Sequence, residues 1–111
     1  MKQYSPHRMA DAAVSARPNA PATAILHDSE DVRMIVFRLE PMQVVAPHTS
    51  PSSVVLTVLR GTGIVLGPDG EVTASVGDVI AYEPRELHGM RALDERFDLL
   101  AIIAPRPGAR T

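Results

Sequence analysis

The stretch that decides the fold runs from Pro47 to Gly63 and reads PHTSPSSVVLTVLRGTG. Its first proline fixes its own φ and pushes the residue before it toward the β region, so that His48 is delivered on an extended segment. The β-branched and aliphatic run that follows has no helical spacing and predicts a buried strand over Ser53–Leu59. Glycines at the end of the run predict a tight turn at Gly61.

A second stretch of similar plan runs from Gly77 to His88 and reads GDVIAYEPRELH. A glycine turn leads into a short apolar strand, Val79–Tyr82, and then into a polar loop that contains a proline. This loop delivers His88 into another strand, predicted over Leu87–Leu93. The sequence thus carries two histidines on polar corners that border apolar strands.

The remaining strands are predicted from short runs of β-branched and aliphatic residues separated by glycine, proline and aspartate. They cover Ala22–His27, Val32–Leu39, Thr62–Leu66, Glu71–Ser75 and Arg96–Ala104, and the sequence of Gly67–Gly70 is the clearest hairpin signal. About eight or nine short strands without a core helix predict an all-β sandwich or barrel.

The chain is expected to fold as one domain, since its 111 residues leave room for a single core. Residues 22–105 form the predicted barrel. Residues 1–21 carry three prolines and no clear hydrophobic period, which predicts an irregular arm over the body in which Met9–Ala16 has room for one or two helical turns. Residues 106–111 form a polar C-terminal tail.

Composition excludes several classes of function. The formal net charge of −2 provides no basic field for a nucleic acid or an anionic membrane surface. The absence of cysteine excludes disulfides, thiolate zinc sites and a thiol nucleophile. Neither a signal peptide nor an apolar run of about 20 residues is found in the sequence, so a cytoplasmic protein is expected.

The first stretch resembles the first signature motif of the cupin superfamily, small β-barrels that in many members hold a metal ion in the barrel mouth. That motif reads G, five residues, H, one residue, H, three or four residues, E, six residues, G. His48 and Gly61 match the first histidine and the last glycine at the family spacing. Met42 stands at the leading glycine, Ser50 at the second histidine and Val54 at the glutamate, so this motif lacks two of its three ligands.

The second stretch resembles the second cupin motif, which reads G, five residues, P, one residue, G, two residues, H. Gly77 and His88 match its ends at the family distance. The proline is displaced by one position to Pro84, and Arg85 stands at the second glycine. The resemblance covers Val32–Pro105 and implies a jelly-roll barrel of the double-stranded β-helix type.

The resemblance also implies a homodimer and a site in the barrel mouth. The aliphatic strands around Ile25 and Ile35 offer a dimer surface.

No cofactor is certain, but two imidazoles that converge in the mouth can bind a divalent metal such as Zn, Fe, Ni or Mn. The family's usual four-ligand cage cannot form, because serine and valine hold two of its positions. Extended backbone would place Glu86 on the same face as His88 and complete a 2-His-1-carboxylate set.

The same residues predict a pocket for a small organic ligand. Alternation along each strand turns one face toward the barrel interior, which makes the base of the pocket apolar and leaves a few polar side chains at its mouth. The predicted pocket residues are His48, Ser50, Val54, Leu56, Val58, Tyr82, His88 and Met90.

Three functions stay open from the sequence. The first is a small-molecule-binding protein without the full metal cage, which the missing ligands favour. The second is a metal-dependent oxygenase or isomerase that uses His48 and His88. The third is a structural dimer module whose interior is filled by Leu56, Val58 and Met90, which would leave no volume for a ligand.

Overall fold

The structure, a computed structural model, describes residues 1–108 of the chain. These residues form one helix and ten strands, namely α1 (Pro6–Ala12), β1 (Val14–Ser15), β2 (Ala22–Asp28), β3 (Arg33–Leu39), β4 (Val44–His48), β5 (Ser53–Arg60), β6 (Thr62–Gly67), β7 (Gly70–Ser75), β8 (Val79–Tyr82), β9 (His88–Ala92) and β10 (Phe97–Ala104). The strands pair antiparallel in two sheets, ordered β1-β2-β3-β10-β5-β8 and β4-β9-β6-β7. The predicted all-β architecture is confirmed. The last three residues of the predicted tail, 109–111, lie outside the described range.

The turn residues predicted the strand ends closely. Each strand that was given bounds from the sequence differs from the observed strand by at most one residue at either end. The predicted hairpin closes β6 onto β7 through a pair between Gly67 and Gly70. The extended segment that delivers His48 is strand β4, which lies at the edge of the smaller sheet.

The main core lies between the two sheets, where alternate side chains of each strand point inward. Strand β5 contributes Val54, Leu56 and Val58, and its neighbour β10 contributes Phe97 and Leu99, all at most 3% exposed. Because β5 and β10 are adjacent in the larger sheet, these side chains form a continuous apolar wall.

The N-terminal arm covers the outer face of the larger sheet with α1. This seven-residue helix begins at Pro6, a residue that suits a first helical turn because it needs no amide donor there. Ala10 is fully buried against Leu26 and Val36 of the sheet. The sequence predicted one or two helical turns within Met9–Ala16, so the observed helix begins three residues earlier than predicted. The start could not be placed from the sequence, because a segment with few large apolar residues shows no clear hydrophobic period. No helix among the described residues is long and apolar enough to cross a membrane.

A charged cluster fixes α1 to the sheet. Arg96 donates from Nε to Oδ1 of Asp98 at 2.9 Å and from Nη2 to Oδ2 at 2.8 Å. The same guanidinium donates to Asp11 of α1 at 2.7 Å. Asp98 is 2% exposed, so this bidentate contact offsets the loss of water around its carboxylate. The arm is therefore packed onto the barrel.

The predicted dimer surface is only partly at the surface. Ile25 is 49% exposed. Ile35, by contrast, packs against the main core and cannot contribute to an outer face. The two residues pair across β2 and β3, and their exposure differs because β2 lies nearer the edge of the sheet. The homodimer stays a prediction.

Gly63 of β6 is expected to tolerate no side chain. A Cβ at this position would lie 2.5 Å from the ring of Phe97, which is fully buried and cannot move aside. Gly63→Ala is therefore expected to lower the free energy of unfolding, measured by urea denaturation, by about 1–3 kcal/mol. Gly67→Ala is the matched control, because its Cβ would meet only the ring of Tyr82 at 3.7 Å. The control is expected to change stability by less than about 1 kcal/mol, and equal losses in both variants would contradict this packing.

Candidate functional site

The two predicted histidines meet at the mouth of the barrel. Strand β4 pairs with β9 in a register that places His48 opposite His88. Their ring centroids are 4.2 Å apart, and the ring planes are inclined at 64° in an edge-to-face contact. His48 is exposed at the rim, whereas His88 is 6% exposed. The structure therefore offers one accessible and one buried imidazole side by side.

A glycine next to the buried histidine lets β4 approach this closely. A Cβ at Gly89 would lie 3.1 Å from the carbonyl oxygen of Val45 and 3.2 Å from Cα of Pro47. Both distances are tighter than ordinary packing, so a larger residue would push β4 away from β9. No role was predicted for Gly89 from the sequence, although a glycine inside a strand indicates that another backbone approaches closely.

A backbone hydrogen bond ties the two histidine corners together. The amide of Arg85 donates to the carbonyl oxygen of Ser50 at 2.7 Å. Arg85 has φ 71° and Met42 has φ 70°, both in the left-handed region that favours glycine. These two residues stand at cupin-motif positions that are glycine in the family. The chain thus adopts, at both positions, a conformation that favours glycine although neither residue is a glycine.

The hydrogen bonds of the two rings define their tautomers. Nδ1 of His48 lies 2.9 Å from the carbonyl oxygen of Ala46, and Nδ1 of His88 lies 3.0 Å from that of Glu86. A carbonyl oxygen only accepts, so each Nδ1 carries the proton and donates it. In a neutral ring, Nε2 is then left as a hydrogen-bond acceptor.

The surroundings of His88 favour its neutral form. Burial lowers the pKa of His88 from its ordinary 6.5, and the neighbouring His48 lowers it further, although the hydrogen bond to the Glu86 carbonyl acts in the opposite direction. The ring of Tyr82 packs 5.1 Å from that of His88. At neutral pH, His88 therefore presents a lone pair at Nε2 and no charge.

An apolar cavity of about 310 Å³ opens at the two imidazoles. Six of the predicted pocket residues line it, namely His48, Ser50, Val54, Leu56, His88 and Met90. Six lining residues were not predicted, namely Phe37, Thr49, Pro51, Ala101, Ile103 and Pro107. The inward alternation of β3 and β10 could have indicated Phe37, Ala101 and Ile103, but only once it was known that β10 pairs with both β3 and β5.

Two predicted pocket residues lie elsewhere. Val58 is 1% exposed and belongs to the core, further along β5 than the cavity reaches. Tyr82 lines a separate cleft together with Gly67 and Glu86, and its hydroxyl donates to the carbonyl oxygen of Leu66 at 2.6 Å. Burial, together with the negative charge of Glu86, raises the pKa of Tyr82 to about 12, so its hydroxyl stays protonated.

The described residues do not provide the metal ligands of the family. Glu86 turns away from the imidazoles, because its Oε1 accepts the amide of Glu83 at 2.7 Å and so closes its own loop. Oγ of Ser50 accepts the amide of Ser52 at 3.1 Å. Between residues 1 and 108 no group of three or more His, Asp or Glu side chains is placed to hold a metal ion. Two imidazoles are fewer protein ligands than a stable catalytic centre usually has.

The two antiparallel sheets, with a cavity open at one end, define a cupin-type double-stranded β-helix, and solved structures show the same fold. The TT1209 protein from Thermus thermophilus is 24% identical, with a TM-score of 0.85 over 96% of this chain and 100% of that one. An RmlC-like cupin protein from Desulfovibrio desulfuricans is 25% identical, with a TM-score of 0.79 over 95% of this chain and 97% of that one. KdgF from Halomonas sp. is 18% identical, with a TM-score of 0.79 over 86% and 87% of the two chains.

Residues 33–105 match the family described as AraC-like ligand binding domain. The match spans more than half of the chain, and the protein belongs to this family of cupin-type domains. The predicted cupin membership is confirmed. Among curated proteins none matches the sequence.

The neutral state of His88 makes stability depend on pH. Because its pKa in the folded chain lies below 6.5, the unfolded chain binds more protons below that pH, and stability is lost as the pH falls from 6.5 to the folded pKa. His88→Gln removes this titration. The loss of urea stability between about pH 7.5 and about pH 5.5 is therefore expected to be smaller in the variant than in the wild type.

His7→Gln is the matched control for this pH experiment, because His7 is exposed and lies outside the site. The control is expected to lose as much stability as the wild type. A His88→Gln variant that loses the same amount would show that His88 titrates as it does in the unfolded chain.

Proposed function

We propose that this protein binds a small, largely apolar organic molecule that carries one hydrogen-bond donor, in the cavity beside His48 and His88. The observation that carries the proposal is the cavity of about 310 Å³ with two imidazole rings at one end. Membership in a ligand-binding family supports it.

The walls of the cavity favour an apolar ligand body. Phe37, Val54, Leu56 and Ile103 line its sides, and Met90 adds a flexible thioether that adapts to different shapes. The volume lies at the lower end of the range for small-molecule sites, which suits a ligand of roughly one ring with a short substituent.

The polar end of the cavity favours a donor over an anion. Each Nδ1 is held by a backbone carbonyl, so the acceptor atoms Nε2 remain for the ligand. A carboxylate would bring its own lone pairs against these acceptors, whereas a phenol or alcohol would donate to one of them. Oγ of Ser50 already accepts the Ser52 amide and keeps its own proton for a ligand oxygen.

The other two functions have less support from these contacts. A structural module would have a filled interior, whereas Leu56 and Met90 both line a cavity of about 310 Å³. A metal-dependent enzyme would need ligands besides the two imidazoles, and the neighbouring carboxylate of Glu86 is engaged with its own loop.

Phenol and toluene, which have nearly the same shape, test the proposal by isothermal titration calorimetry. The wild type is expected to bind phenol about 2- to 10-fold more tightly than toluene, the contribution of one hydrogen bond. His88→Leu, which replaces the acceptor with an apolar side chain, is expected to reduce phenol affinity to that of toluene and to leave toluene affinity nearly unchanged.

Val58→Ala is the matched control, because Val58 is buried but does not line the cavity. This variant is expected to lose stability while keeping the preference for phenol. A wild type that binds neither compound, or that binds both equally, would contradict the proposed function.

A further inference from the structure

A segment that follows the last strand contributes to the wall of the cavity. Strand β10 ends at Ala104, and the next three residues, Pro105–Pro107, are here called the C-terminal strap. Pro107 lines the cavity together with His48 and Ile103. This residue comes from a segment that the sequence analysis assigned to a polar tail, so the tail contributes a wall of the candidate site.

The start of the strap is firmly attached to the barrel. The hydroxyl of Ser52 donates to the carbonyl oxygen of Pro105 at 2.7 Å. The bond is part-buried: Pro105 is exposed, but Ser52 is 2% exposed, so breaking the bond would leave a buried hydroxyl without its partner. Ser52 immediately precedes β5, the strand that contributes Val54 and Leu56 to the cavity wall. The hydrogen bond therefore fixes the start of the strap next to that wall.

The next residue of the strap is attached only at the surface. Nε of Arg106 donates to Oδ1 of Asp28 at the end of β2, at 2.7 Å. Asp28 also binds Arg33, with Nη2 to Oδ2 at 3.2 Å. The side chain of Arg106 is 42% exposed, and ion pairs that are this accessible to water contribute little to stability.

We propose that Pro107 is the movable wall that limits the size of the ligand, with the Arg106–Asp28 ion pair as its latch and the Ser52–Pro105 hydrogen bond as its fixed end. The inference rests on the proposed function, because it concerns the same cavity. Its physical basis is the contrast, on adjacent residues, between a hydrogen bond from a buried serine and an ion pair exposed to water. When the Arg106–Asp28 ion pair breaks, Pro107 moves away from the cavity, while the Ser52–Pro105 hydrogen bond and the strand pairing of the barrel stay intact.

Access to the cavity can be measured without a ligand by the rate at which diethyl pyrocarbonate modifies His88, followed by mass spectrometry. The exposed His7 serves as the internal reference. Arg106→Ala removes the latch and is expected to speed the modification of His88 by up to about fivefold, which corresponds to a surface ion pair of about 1 kcal/mol. Arg33→Ala is the matched control, since it removes the other arginine from Asp28 and leaves the strap attached.

A second variant tests the wall itself. Pro107→Gly removes the ring that faces the cavity and is expected to raise the affinity for 2-naphthol relative to phenol, because the larger ligand gains room. Equal modification rates of His88 in Arg106→Ala, Arg33→Ala and the wild type would overturn the latch. An unchanged ratio of naphthol to phenol affinity in Pro107→Gly would overturn the wall.

Ligand binding in the cavity and control of access by the strap are tested separately. If no variant binds phenol or naphthol, the proposed function is wrong, and the modification rates of His88 still decide whether the strap controls access. If phenol binds but Arg106→Ala leaves those rates unchanged, the site stands and the strap is only a terminal segment.

Discussion

The antiparallel pairing of β4 with β9 is the constraint on which the site depends. Its register places His48 opposite His88, and a slip of one residue would turn one imidazole to the other face of the sheet. Gly89 permits the close approach of the two strands, and the Arg85–Ser50 hydrogen bond joins the loop after β4 to the loop before β9. Backbone geometry, more than any contact between the rings, therefore brings two residues 40 positions apart to one mouth.

The chemistry of the mouth follows from where the protons lie. A backbone carbonyl accepts a hydrogen bond from Nδ1–H of each ring, and burial lowers the pKa of His88 and so favours its uncharged form. The same Nδ1 contacts orient histidine ligands in metal sites, but here serine and valine replace the further ligands and Glu86 is held by its own loop. What remains is a pair of imidazoles with Nδ1 engaged by backbone carbonyls, beside an apolar cavity.

The strands were predictable from the sequence because glycine, proline and aspartate mark their ends by local conformational preference. The β8 strand, Val79–Tyr82, was predicted with its observed bounds for this reason. The positive φ of Met42 and Arg85 shows that residues other than glycine take the left-handed conformation at these two motif positions, at some cost in strain. The spacing of His48, Gly61, Gly77 and His88 matches that of the two cupin motifs, which is why the fold could be recognised although two metal ligands were missing.

The depth and far wall of the site were not predictable in the same way. Alternation along β5 assigned Val54, Leu56 and Val58 to one face, but it could not indicate that the cavity ends before Val58. Phe37 and Ile103 enter the site through strand pairings that join distant parts of the chain. Pro107 enters it because the two residues before it are attached to Ser52 and to Asp28. Such contacts are tertiary and leave no local pattern.

The central claim, that both imidazoles carry a proton on Nδ1 and leave Nε2 for a ligand, is tested most directly by long-range ¹H–¹⁵N correlation spectra of the histidine rings at about pH 8, where ordinary histidines are neutral. The account predicts that both His48 and His88 are in the Nδ1–H tautomer and that added phenol shifts an Nε2 resonance. A proton on Nε2 of His88, or spectra that phenol leaves unchanged, would contradict it.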